Sequence, residues 1–280
     1  LFAFGFLFDL TFIHPMKYTS LPPSSLPFST AALARLWRWG VAAVVGSLAL
    51  GAAQANMIVD TTRVIYPEAR REVSFRVTNT AKDRPGFVQM WLDDGNANVA
   101  PEDATSPFNL TPPIARLGAD GSQVVRLVYT GEPLPADRES VFYFNMLEVP
   151  QKSAEENKIS FAVRTRIKVF FRPKALRADP MTLMNKVSWQ LVKEGGNWVA
   201  VGTNPTPFHM SFFAVLLGQS GKFGGPIDGG MIPPMGKSSI VLGEVDKIPD
   251  PTKAFNQIKV DFVNDYGGAT SLEFPLSGKP

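Results

Sequence analysis

From residue 56 onward the chain alternates. Val73, Phe75 and Val77 are interleaved with Ser74, Arg76 and Thr78, and strand-like runs recur at 87–92, 123–129 and 141–149. Side chains with a period of two line the opposite faces of an extended strand, whereas an amphipathic helix needs apolar residues three and four apart. No stretch of this part keeps the helical period for three turns. The runs are separated by turn chemistry: Arg84-Pro85-Gly86, Asp94-Gly95-Asn96 and Gly118-Ala119-Asp120-Gly121. A total of 24 prolines and 23 glycines in 280 residues suits a chain that reverses often. The pattern predicts an all-β sandwich.

The pattern occurs twice. The longest predicted strand runs from about residue 158 to 171, with Ile159, Phe161, Val163, Ile167, Val169 and Phe171 on one parity and Thr165 as the polar break. Arg172-Pro173 ends it, because proline cannot continue the ladder of a central strand. Residues 173–180, with two prolines and alternating charge, read as a linker. Beyond it, 187–192 and 198–201 flank Glu194-Gly195-Gly196-Asn197, a hairpin by composition. Segments 212–217, 239–242, 257–263 and 271–276 complete a second set. The expected architecture is two β-sandwich domains, 56–175 and 176–280.

Residues 1–55 belong to a different class. Arg35 and Arg38 precede an uncharged run from Gly40 to Ala52, and Ala53-Gln54-Ala55 follows, the three-part pattern of a secretory signal peptide cleaved after Ala55. The run is too short to cross a bilayer, which takes about 20 residues, so no membrane insertion is expected after cleavage. The chain opens with Leu1, and Met16 is the first candidate start, so the segment before it reads as an over-extended start.

Composition removes several function classes. With no cysteine and two histidines, disulfides, thiolate zinc sites, iron–sulfur clusters and cysteine nucleophiles are excluded, and no cofactor is expected. A net charge of +3 gives no basic excess of the kind nucleic-acid binders carry. Gly230 to Ser238 superficially resembles a phosphate loop, but its glycine spacing is one residue too long. Pro233-Pro234 also removes two backbone donors, so it reads as a surface turn. His209 has no second histidine to act with and reads as structural. Asp93-Asp94 and Glu155-Glu156 are neighbours that point to opposite strand faces, so neither pair can act as a carboxylate dyad. No enzyme is expected.

Four segments resist a packing explanation: Asp60-Thr61-Thr62-Arg63-Val64-Ile65-Tyr66, Arg138-Glu139-Ser140-Val141-Phe142-Tyr143-Phe144-Asn145, Arg164-Thr165-Arg166-Ile167-Lys168-Val169-Phe170-Phe171-Arg172-Pro173 and Asn264-Asp265-Tyr266-Gly267-Gly268. With Asn204-Pro205-Thr206-Pro207-Phe208, and in this order, they resemble the periplasmic pilus-assembly chaperones, over nearly all of residues 56–280. The resemblance implies two immunoglobulin-like domains in a boomerang with a cleft between them. It implies pilin subunits as clients and an outer-membrane usher as the partner that receives them. Such a subunit lacks a final strand, and the chaperone lends its own. The matching donor residues are Ile159, Phe161 and Val163. The family's two anchors for the subunit's C-terminal carboxylate fall on Arg63 and Lys168, and its interdomain ion network on Glu139, Arg172 and Asp265.

Lys168 has the opposite parity from Ile159, so either a bulge intervenes or the cleft and the client groove lie on different sides of the strand. The short polar connection 150–158 resembles the short-loop branch of the family, associated with rod-like pili. Self-association of the empty protein, a common way to hide a donor strand, stays open at this point. The competing reading is an exported tandem-sandwich adhesin or receptor module, binding through loops and indifferent to Arg63 and Lys168.

Overall fold

The computed structural model describes residues 56–149, 162–224, 226–242 and 250–277. The leader 1–55 with its cleavage point after Ala55, the pair Glu155-Glu156, and Ile159 and Phe161 of the donor row lie outside the described residues.

The first set of strands is β1 (Met57–Val59), β2 (Arg63–Pro67), β3 (Val73–Asn79), β4 (Gly86–Asp93), β5 (Phe108–Thr111), β6 (Ile114–Leu117), β7 (Ser122–Tyr129), β8 (Ser140–Val149) and β9 (Val163–Arg172). They form a four-stranded sheet, β1-β3-β7-β5, and a five-stranded sheet, β2-β9-β8-β4-β6. The alternation read from the sequence explains the layering. Val77, Val88, Val125, Leu127, Phe144 and Val169 are fully buried in one core, while their strand neighbours point away from that core. Tyr66 sits in the same core, its ring against Phe108 and Phe171, and its hydroxyl donates to the Arg71 carbonyl (3.0 Å) and accepts from the Tyr129 N–H (3.0 Å).

A 3-10 turn, Pro180–Lys186, follows the linker, its first turn closed by the Asp179 carboxylate, which accepts from the Met181 N–H at 2.9 Å. The second set is β10 (Ser188–Glu194), β11 (Asn197–Asn204), β12 (Met210–Gln219), β13 (Lys222–Phe223), β14 (Ile227–Ile232), β15 (Gly236–Val241), β16 (Gln257–Val263) and β17 (Ala269–Ser277). They follow the path β13-β12-β16-β17-β10-β11-β15, with β14 added on β12. A two-residue parallel bridge, Trp189↔Leu276 and Gln190↔Ser277, joins the two layers along one edge. Trp189, Phe208, Val215, Ile258, Val260 and Phe262 form a second core, separate from the first. The β10–β11 hairpin turns on Gly195 (φ 57°) and Gly196 (φ 92°), both in the left-handed region that a two-residue type I′ turn requires.

The segment read as a surface turn from Gly230 to Ser238 is shorter than that. Only 233–235 turn; Gly236 opens β15, which pairs along β11 from Asn204 to Val199.

Strand β9 positions the site. It pairs with β8 from Ser140↔Phe171 to Glu148↔Val163 without a register shift. On its other side β2 runs parallel to it only from Arg63↔Lys168 to Pro67↔Arg172. From Val163 to Ile167 no described strand covers that outer edge.

Phe144 is fully buried and packs edge-on against Phe75 at 4.8 Å. Truncating it to alanine removes both apolar area and a filled volume, and is expected to cost about 3–5 kcal/mol, read as a lower midpoint in urea unfolding.

Candidate functional site

Parallel pairing places Arg63 directly beside Lys168; such neighbours stand about 5 Å apart with side chains on one face. Val64 and Tyr66 of β2, and Val169 and Phe171 of β9, point into the core, so Arg63, Lys168, Phe170 and Arg172 share the opposite face. The parity of Lys168 is settled for the described part of the strand, Val163–Arg172, whereas Ile159 lies outside the described residues. No bulge interrupts β9, and the cationic face lies on the other side of the strand from Val163. The apolar row of β9 surfaces gradually: Val169 is fully buried, Ile167 is partly buried against the core and Val163 is 38% exposed.

The two cations are poorly compensated. Arg63 donates from Nη1 to the Val263 carbonyl (3.1 Å) and lies over the Phe170 ring, 5.6 Å from its centre, while its Nε is buried without a partner. Burial draws Arg63 below the ordinary arginine range, partly offset by Asp265 and Glu139. Lys168 forms no ion pair among the described residues, and burial followed by the charge of Arg63 draws it down as well. A group that is desolvated and faces a like charge favours an anion in its place. A carboxylate is the fitting species, since two cationic donors can form charge-assisted bonds to its two oxygens.

A second group of charges is saturated. The Arg172 guanidinium forks onto Asp265 (Nη1–Oδ2 2.7 Å, Nη2–Oδ1 3.0 Å) and donates to Glu139 Oε1 from Nη2 (2.9 Å) and Nε (3.1 Å). Glu139 precedes β8 and Arg172 ends β9, whereas Asp265 sits in the β16–β17 turn, so the network joins the two sandwiches. His209, absent from the predicted site, completes it: its backbone N–H donates to Glu139 Oε2 and its Nδ1 lies 2.9 Å from the same oxygen. The clue in the sequence was its place directly after the Asn204–Phe208 motif, whose Phe208 ring also lies under Arg172, 5.2 Å from the guanidinium carbon.

Local geometry aims Asp265. Asn264 Oδ1 accepts from the N–H groups of Tyr266 and Gly268, both at 3.0 Å, which closes the turn. Gly267 has φ +82°, and a side chain there would collide with Thr62, so glycine is required on two counts. The space that Arg63 shares with Glu139, Arg172, His209 and Asp265 is only about 10 Å³, too little for a carboxylate. Among the described residues no group of three or more His, Asp or Glu comes together to hold a metal ion.

The structure thus brings Arg63 with Lys168, and Glu139 with Arg172 and Asp265, and sets Val163 on the far face of the same strand. The two like charges repel, and the charge of Arg63 is one of the causes that lower Lys168. Lys168→Gln removes that repulsion and is expected to stabilise the empty protein by about 1 kcal/mol, roughly 2–4 °C in Tm. The pH dependence has a definite sign. Because the folded-state value of Lys168 is depressed, the native state releases its proton before the unfolded state does. Native stability therefore recovers as pH rises from the depressed value toward the ordinary 10.5, and this alkaline recovery is absent from Lys168→Gln in paired pH–stability curves. In contrast, Arg172→Ala strands two carboxylates and is expected to cost about 3–5 kcal/mol, measured as a lower denaturation midpoint.

Comparison with known proteins is consistent over the described chain. Residues 56–177 match the family "Pili and flagellar-assembly chaperone, PapD N-terminal domain", and residues 182–274 match "Pili assembly chaperone PapD, C-terminal domain". The probable fimbrial chaperone YadV of Escherichia coli K12 is 40% identical over 223 residues, covering 77% of this chain and 87% of that protein. The Bordetella pertussis chaperone protein FimB/FhaD is 34% identical over 84% of this chain and 94% of its own length. The crystal structure of the Pseudomonas aeruginosa CupB2 chaperone superposes with a TM-score of 0.63 at 33% identity, over 78% of this chain and all of that one. These matches leave the adhesin or receptor reading without support. The chain belongs to the PapD-like family of pilus-assembly chaperones, non-catalytic periplasmic proteins of the chaperone–usher pathway.

Proposed function

We propose that the chain stabilises pilin subunits by lending them β9 and the segment before it, and passes them to an outer-membrane usher. The observation that carries this reading is the edge of β9 from Val163 to Ile167, which no described strand covers. An extended segment with unpaired backbone groups on one side is a template for another chain's sheet. Its outward apolar side chain, Val163, continues the row of Ile159 and Phe161 read from the sequence. At the inner end of the edge, Arg63 and Lys168 receive the client's C-terminal carboxylate. That contact sets the register, and a slip of one residue would turn the apolar row away from the client groove.

Within this reading, residues 56–175 carry the donor strand and the anchors, and 176–280 form the second domain. The Glu139–Arg172–Asp265 network holds the domain angle and does not touch the client. Residues 1–55 direct export, with cleavage after Ala55, and the connection 150–158 places the chain in the short-loop branch.

Co-expression with a candidate pilin tests both elements. Arg63→Ala or Lys168→Ala is expected to reduce the co-purified complex at least tenfold while the chaperone alone stays folded. Val163→Asp, at a position 38% exposed, is expected to do the same without lowering the chaperone's own Tm. Undiminished complex with both cations removed would overturn the anchor assignment, and undiminished complex with Val163→Asp would overturn the donor strand.

A further inference from the structure

The cationic face of β9 carries a second cluster, remote from Arg172 and its carboxylates. Asp93 at the end of β4 is fully buried, yet it is ionic. Its carboxylate accepts from the Arg166 guanidinium, from Asn145 Nδ2 (2.7 Å) and from the Gly95 N–H (2.8 Å). Arg164 forks onto Asn145 Oδ1 through Nε (3.1 Å) and Nη2 (2.7 Å), and its Nη1 donates to the Ala97 carbonyl at 2.6 Å. Both guanidiniums are also stacked, Arg166 at 3.7 Å from the Tyr143 ring centre and Arg164 at 4.8 Å from that of Trp91. Burial alone would raise the Asp93 carboxyl, but the hydrogen bonds from Arg166, Asn145 and Gly95 outweigh it and hold the group below the ordinary carboxylate range.

The location of this cluster gives it meaning. Arg164 and Arg166 belong to the part of β9 that β2 does not reach. A half-supported edge strand is held by one ladder, so it can twist or slip at low cost. The two arginines reach back over β8 to Asp93 and Asn145, tying that segment to the sheet by its even-numbered face. A one-residue slip or a half-turn of the segment would place two guanidiniums where Val163 belongs, and burying them in an apolar groove without partners is costly.

We propose that Asp93 is a positioning residue for strand donation: through Arg166, and with Asn145 through Arg164, it fixes which face of the uncovered segment is offered to the client. This rests on the reading that β9 is the donated strand. The experiment separates the two claims, because its first arm uses the empty chaperone.

In hydrogen–deuterium exchange of the full chain, Asp93→Asn is expected to speed exchange at residues 164–167 at least tenfold. Residues 169–171, held by β2 on the other side, are expected to stay within twofold. Unchanged exchange at 164–167, or equal acceleration across β4, β8 and β9, would overturn the proposal by making Asp93 irrelevant or merely stabilising. Arg166→Gln, at a side chain that is 25% exposed, supplies the same comparison should Asp93→Asn fail to fold.

A second arm reads the facing itself. The natural chain contains no cysteine, so Val163→Cys can be cross-linked to single cysteines placed along the groove of a co-expressed pilin. One groove position is expected to react with the parent and two or more adjacent positions in the Asp93→Asn background. A single position in both would overturn the proposal. Loss of all cross-links in the parent background would count against the donor reading, leaving the exchange result to decide the role of Asp93.

Discussion

Five residue pairs, Arg63↔Lys168 to Pro67↔Arg172, tie β2 to β9. The extent of that ladder governs the rest of the site. Where it exists, β9 is a central strand whose inner face carries fully buried Val169 and whose outer face carries Phe170 against the second sandwich. Where it stops, the same strand becomes an edge, and the apolar side chains that filled the core a few residues earlier come to the surface. A sheet edge with an apolar row is ordinarily a liability; under the proposed reading it is the part offered to the client.

The charges along β9 divide according to whether the protein itself satisfies them. Arg172 has two carboxylates and a ring, and Arg164 and Arg166 have Asp93, Asn145 and two aromatic faces. Lys168 has Arg63 and Tyr143 beside it and no ion pair among the described residues, and Arg63 keeps a buried, unpartnered Nε. Saturated pairs hold geometry, because removing one partner strands a desolvated charge. The unsaturated pair is already desolvated in the folded state, which under the proposed reading favours an incoming carboxylate. One strand thus carries saturated and unsaturated charges side by side.

Much of this was legible in the residues. Alternation in 73–78 and the Gly195-Gly196 turn led directly to strands and to a hairpin, because local backbone preference and side-chain period act within a few residues. Short strands such as β1, β5 and β6 were not singled out. With three or four residues each, they have too few alternations to stand out, and long-range pairing defines them. His209 was read as structural, and its lodging against Glu139 depends on residues 70 positions apart. Asp93 looked like half of an idle acidic pair; its importance comes from Arg166, which lies 73 positions away.

By itself the sequence determined that this chain forms strands with one apolar and one polar face, that it has no thiol chemistry, and that Arg63 and Lys168 are cations set in otherwise strand-like segments. Tertiary structure alone decided that these two cations become neighbours, that β9 between Val163 and Ile167 pairs with β8 but has no described strand on its outer edge, and that the cationic and apolar faces lie on opposite sides of it. The reason is physical. A two-residue period is written in consecutive side chains, whereas register, edge and charge compensation arise only when segments a hundred residues apart exchange hydrogen bonds.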